Sequence, residues 1–174
     1  TGVLTIFFGL ALATQSSFVS PFAESLGIPN ISVYFITYSF GAVLARVFGS
    51  KLADRLGELR VIPWALLLIA TGFLSLVMVD SSILLMISGF ITGLGHGFLF
   101  PSLNTLMIRN EPRQIRGKIN GIFTGSIDLG IFTGAISLGY IGEWFGYKPI
   151  FISTFLALIL GLVFFYTYIR KVIQ

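Results

Sequence analysis

The chain has no cysteine and one histidine, and only 10% of its 174 residues are charged. Each shortage excludes something. Without cysteine there is no disulfide framework and no thiolate metal site. With His96 alone, no imidazole pair is available either, so neither a metal nor another cofactor is expected. Soluble domains carry about 25% charged residues; a chain with so few, and with 55% hydrophobic residues, has a membrane composition instead. The net charge of +4 does not mark a nucleic-acid binder, because no apolar stretch carries a basic stripe.

What is there is apolar length. Six stretches fill almost the whole sequence: Val3–Ser20, Ile31–Phe48, Val61–Val79, Ile83–Ile108, Ile119–Ile141 and Pro149–Ile169. Each approaches the ~20 residues that cross a hydrocarbon core. This predicts an all-α integral membrane protein of six transmembrane helices. The connections then alternate sides. Arg46, Lys51, Arg55, Arg60, Arg109, Arg113, Arg116, Lys118, Arg170 and Lys171 fall on one side, and Lys148 alone on the other. Lys and Arg gather on the cytoplasmic side. The expectation is a multi-pass protein of the plasma (inner) membrane with both termini cytoplasmic. Outer connections are expected at Pro21–Asn30, Asp80–Ser82 and Gly142–Lys148, and inner ones at Gly49–Arg60 and Arg109–Lys118. The chain opens on Thr1, almost inside the first span, and reads as a piece of something longer.

A weak internal repeat runs at an offset of about 80 residues. Gly9 aligns with Gly89, Phe18 with Phe98, Pro21 with Pro101, Ile28 with Ile108, Asn30 with Asn110 and Gly41 with Gly121. It divides the chain into two three-helix units, 1–79 and 80–174. Three is odd, so the units must be inverted relative to each other, as in transporters. Polarity sorts with the same period. The third and sixth stretches hold no ionisable residue, whereas the first, second, fourth and fifth hold Gln15, Arg46, His96, Asn104 and Asp128. Polar groups at membrane depth are costly unless they face protein or water. Helices one, two, four and five are therefore expected to line a path, with three and six outside.

Asp128 and His96 stand near the middle of their spans. An acid there is disfavoured in its charged form by desolvation, which suits a proton carrier, although a hydrogen-bonded structural role fits equally. His96 is its expected partner, as a relay or as a packing residue. Gln15, Tyr34, Thr37, Tyr38 and Asn104 are solute-cavity candidates; Tyr34 also suits interfacial anchoring. Asp128 shares a helix face with Gly121 and Gly125, and the opposite face carries Gly130 and Gly134, so this helix is expected to pack between neighbours on both sides. Gly89, Gly93 and Gly97 recur at the same four-residue spacing, which lets helix backbones approach closely, for packing or for a rocking contact.

The densest local signal follows the second stretch: Arg46-Val-Phe-Gly-Ser50-Lys-Leu-Ala-Asp54-Arg55-Leu-Gly57. It resembles the loop signature of the major facilitator superfamily, Gly-x-Leu-Ala-Asp-Arg-x-Gly, with Ser50 at the first glycine position and Glu58 and Leu59 where the family has two basic residues. The resemblance implies half of that family's usual twelve-helix fold, a secondary transporter working by alternating access, and a cytoplasmic gate. In that gate Asp54 is the lock acid, Arg55 its companion, and the Arg116-Gly117 step is the kind of helix terminus on which such an acid docks. The fourth stretch has Gly93-Leu-Gly95, but Gly89 where N-terminal halves of the family often carry Arg. The fifth matches an antiporter glycine pattern at Gly130, Gly134 and Gly139, but has Ala135 for its proline and Leu138 for a glycine. Both departures point to the C-terminal half.

The expected partners are the lipid bilayer, a small solute, and the other six-helix half or a second copy of this chain. Export of drugs or metabolites, uptake, proton coupling and uniport all remain open. The alternatives are a non-transporting membrane scaffold and an intramembrane enzyme. An enzyme is not expected, because Ser126 follows Gly125 but is followed by Ile127, which breaks the Gly-x-Ser-Gly of rhomboid-type proteases, and Asp128 lacks the acidic neighbours of a metal-dependent transferase.

Overall fold

A computed structural model describes residues 1–109 and 111–169, with side chains for all of these except 49–55. Six helices account for nearly all of them: α1 (Gly2–Ser25), α2 (Ser32–Leu56), α3 (Glu58–Leu76), α4 (Ser82–Ile108), α5 (Arg116–Phe145) and α6 (Tyr147–Phe164). A 3₁₀ turn over Arg113–Ile115 precedes α5, and a π turn over Phe165–Ile169 extends α6. Helix is what an apolar chain in lipid must form, since each backbone N–H and C=O then finds its partner within the segment. The hydroxyls follow the same rule. Thr37, Ser126, Thr133 and Ser137 each donate to a carbonyl one turn back. Among the described residues five helices are long and apolar enough to cross a membrane, and Ser32–Phe48 of α2 is a shorter apolar sixth.

α1, α2, α4 and α5 are longer than the apolar stretches, and three expected connections shrink. α1 runs through Pro21 to Ser25, because one lost N–H is tolerable where neighbouring helices support the chain. The inner segment Gly49–Arg60 is helical except for Gly57, and the outer segment Gly142–Lys148 is helical except for Gly146. Charged residues such as Lys51 and Arg55 favour helix as well as apolar ones do, so charge marks a membrane boundary and not a helix end. The chain reverses through single glycines, Gly57 at φ 78°, ψ 151° and Gly146 at φ 82°, ψ −176°, a backbone region open essentially to glycine alone.

Contact registers give the helix directions. Gly9 meets Ile127 and Gly130, and Gly134 meets Leu10 and Ala13, so numbers rise together and α1 is parallel to α5. Tyr34, Tyr38 and Ala42 meet Gly89, Gly93 and Gly97 in turn, so α2 is parallel to α4. Ala65 and Ile69 meet Gly95 while Gly72 meets Thr92, so α3 runs against α4. Thr14 bonds Thr154 and Phe7 meets Gly161, so α6 runs against α1. α3 and α6 also pack on each other. The innermost core is α3's buried face, Ile62, Leu66, Ile69, Phe73 and Leu76, closed by Phe151, Leu158 and Phe165. The outward faces of α3 and α6 are apolar: Trp64, Leu74 and Met78 on one, Leu156, Leu160 and Val163 on the other.

Candidate functional site

α2 and α4 cross backbone against backbone. Any side chain at Gly93 would strike the Tyr38 carbonyl, at Gly89 that of Tyr34, and at Gly97 that of Ala42. This closeness sets Tyr38 against His96, one turn beyond Gly93. The His96 ring is 3% exposed. It lies edge-on to Tyr38 (5.6 Å, 70°) and, from α1, to Phe8 (5.2 Å, 81°). Neither ring nitrogen has a hydrogen-bond partner. Gln15 on α1 interacts with the Tyr38 phenol, and its own carbonyl oxygen is buried without a partner. Tyr34 stacks on Tyr38 (6.4 Å, 12°), lies beside Thr92, and buries a hydroxyl that makes no hydrogen bond of good geometry. Ser102, on α4, is buried and unpartnered as well. Unbonded buried polar groups each cost about 1–3 kcal/mol, so those of Gln15, Tyr34 and His96 around Tyr38 are a concentration of binding capacity. Tyr38 is part-buried and Phe100 exposed, and with Gln15 and His96 behind them they form a wall of three helices.

The other candidates sit elsewhere. Thr37 bonds back to Val33 and Tyr34, beside Gly89. The Asn104 amide donates to the Asn120 carbonyl oxygen at 3.1 Å, tying α4 to α5. Asp128 is exposed on the outward side of α5. The expected pairing of Asp128 with His96 is therefore corrected: α1 packs against α5 and turns Phe8 toward the imidazole, while Asp128 faces away. Among the described residues no three His, Asp or Glu side chains converge as a metal site.

The glycines of α5 divide. Gly130 and Gly134 seat α1, but nothing lies within 4 Å of the space a side chain would fill at Gly121 or Gly125. Within this bundle one of the two small faces of α5 therefore meets a neighbour, that of Gly130 and Gly134. Of the gate residues, Arg46 is exposed, Gly57 is the hinge between α2 and α3, and Arg116 donates through Nε to the Glu111 carbonyl at 3.1 Å. The side chains of Ser50, Asp54 and Arg55 lie outside the described residues. On the same side Arg109 pairs with Glu58 at 3.1 Å, joining α4 to α3.

Sequence reasoning missed Phe8, Ser102 and Asn120. Phe8 gave no signal, being one of 18 phenylalanines. Asn120 could have been found, as an amide just inside an apolar stretch one helix along from Asn104.

Comparison with known proteins agrees with this architecture. The family model described as Major Facilitator Superfamily matches residues 1–172. An uncharacterized MFS-type transporter of Salmonella typhimurium is 28% identical over 163 residues, 94% of this chain and 42% of that protein. A multi-drug resistance efflux pump PmrA homolog of Lactococcus lactis is 25% identical over 181 residues, 99% of this chain and 45% of that protein. The multidrug resistance protein MdtG of Erwinia billingiae is 26% identical over 121 residues, 70% of this chain and 29% of that protein. The POT family transporter PepTSo superposes with a TM-score of 0.80 at 20% identity, over 95% of this chain and 35% of that one. The chain thus spans less than half the length of the curated relatives it matches. With six helices of alternating direction, a family model that covers them all and the half-length transporter match, this chain belongs to the major facilitator superfamily.

Proposed function

We propose that this bundle is one half of a secondary transporter that moves a small solute by alternating access, driven by protons. The solute class we favour is amphipathic and drug-like, exported as the names of the multidrug relatives suggest. The observation that carries this is the wall around His96: aromatic faces for an apolar body, with unbonded Gln15, Tyr34 and His96 atoms for a polar one. Ligand sites have this composition. Tyr38 touches solute; Gln15 and His96 back it.

Alternating access needs two inverted units, 1–79 and 80–174. Exchanging α1 with α4, α2 with α5 and α3 with α6 carries the main helix pairs onto one another: α1·α5 becomes α4·α2, α3·α4 becomes α6·α1, and α3·α6 is unchanged. The glycine hinges Gly57 and Gly146 exchange, and so do the hydroxyl pairs Ser75–Ser88 and Thr14–Thr154. Such agreement supports a repeat.

Asp128 is the proton carrier, the only acid inside an apolar stretch. A carboxylate at that depth needs protein or water beside it, so the outward face of α5, Gly121 and Gly125 included, is covered by the other six-helix half or by a second copy. Both termini and the gate around Asp54 lie in the cytoplasm of a cell bounded by this inner membrane. The test is transport of a fluorescent lipophilic cation by the full-length protein in inverted, energised vesicles. Tyr38→Phe is expected to raise KM several-fold at unchanged folded yield. An unchanged KM removes Tyr38 from the site, and no transport by the wild type of any such cation removes the solute class.

A further inference from the structure

At the basic end of the bundle a groove of about 880 Å³ opens between α3, α4 and α6. Its walls change character with depth. Arg60 and Arg109 stand at the mouth; Trp64, Leu68, Phe98 and Tyr166 line the rest. Arg60, Trp64 and Leu68 follow at four-residue intervals along one face of α3, and eight residues of helix descend about 12 Å. Phe98 lies eleven residues, about 16 Å, below Arg109 on α4. The groove therefore reaches from headgroup level into the hydrocarbon of one leaflet. It opens on the lipid perimeter, because α3 and α6 carry the outward apolar faces and Trp64 is 71% exposed.

The charge at the mouth is uneven. Arg109 pairs with Glu58. Among the described residues no carboxylate pairs with Arg60, which leaves the mouth with a net positive charge. A cation over an apolar, aromatic-lined slot that faces the bilayer is the shape and polarity of a phospholipid with a negative headgroup. We propose that this groove binds an anionic glycerophospholipid of the leaflet on the arginine-rich side, its phosphate against Arg60 and its acyl chain along Trp64, Leu68 and Phe98. The proposal depends on the bilayer and not on the transport reading.

Native mass spectrometry of the purified full-length protein tests it, with phosphatidylglycerol or phosphatidylcholine of the same acyl chains added. Wild type is expected to retain phosphatidylglycerol about fivefold better, roughly what one surface arginine contributes to anionic lipid binding. Arg60→Gln is expected to remove that preference, whereas Lys148→Gln, at the opposite end, keeps it. Leu68→Ser is expected to lower retention of both lipids. Equal retention of the two lipids by wild type overturns the proposal, as does a preference that survives Arg60→Gln or disappears equally in Lys148→Gln. Displacement of the lipid by millimolar inorganic phosphate would make the groove a phosphate site instead and overturn the lipid assignment.

Discussion

His96 and Asp128 are the two ionisable residues of this bundle nearest mid-membrane, and their surroundings are opposite. His96 has no hydrogen-bond partner, only ring edges from Phe8 and Tyr38. Replacing an unbonded buried polar group by an apolar one of similar shape is neutral or stabilising. His96→Phe is therefore expected to leave thermal stability in detergent unchanged or raised by up to about 1 kcal/mol, while transport falls. A large loss of melting temperature would show that the imidazole holds the fold. Asp128 is exposed and among the described residues makes no hydrogen bond or ion pair, so Asp128→Asn is expected to leave stability unchanged. As the proposed proton carrier it should abolish pH-gradient-driven transport while solute exchange survives; persistence of gradient-driven transport would rule out the carrier role. The sequence showed both residues as candidates but not which way they point. Where lipid is as apolar as leucine, the contrast that reveals a helix's inner face disappears.

Glycine decides the elements. α2 and α4 sit close because Gly89, Gly93 and Gly97 have no side chain, and the four-residue spacing made that legible. The same spacing at Gly121 and Gly125 pointed equally to packing and led outward, since spacing reports the capacity for close approach and not the presence of a neighbour. The two sets separate experimentally. Gly93→Ala drives a methyl into the Tyr38 backbone and is expected to destabilise by about 1–3 kcal/mol, the usual penalty of overpacking. Gly121→Ala meets no neighbour within this bundle and removes a flexible residue from a helix, so as far as this half is concerned it is expected to stabilise by about 0.5–1 kcal/mol. Thermal melts of the two variants side by side check this; equal effects would mean the α2–α4 crossing is looser than described. Gly57→Ala and Gly146→Ala each force a side chain into a backbone region that costs of order 1–3 kcal/mol, and both should lower folded yield. These hinges were hidden in the sequence. Gly57 lies inside a charged run that reads as a loop, although the chain is helical up to and beyond it.

At the scale of the whole molecule, the number of spans and their alternation were legible because the membrane imposes them. An uncapped run of ~20 apolar residues has few alternatives, and the registers place α1 parallel to α5 and α2 parallel to α4, as six alternating spans require. Orientation is a separate matter. A bundle turned over has the same internal contacts, so only the asymmetry of charge speaks to it. Among the described residues, eight of nine Lys and Arg fall toward the ends joined by the α2–α3 and α4–α5 connections, against Lys148 alone. Positive residues resist translocation, which supports a cytoplasmic position for that end. This stretch holds no cysteine, so single cysteines placed in it, with any thiol elsewhere in the full-length protein replaced by serine, test the point directly. Ser81, before α4, and Gln114, before α5, are both exposed in connections at opposite ends of the bundle. In intact cells, Ser81→Cys in the full-length protein is expected to react with a membrane-impermeant maleimide, and Gln114→Cys to react only after the membrane is opened. Labelling of both from outside would contradict the alternation of spans, and the reverse pattern would turn the protein over, moving the Asp54 signature and the Arg60 groove to the outer leaflet together.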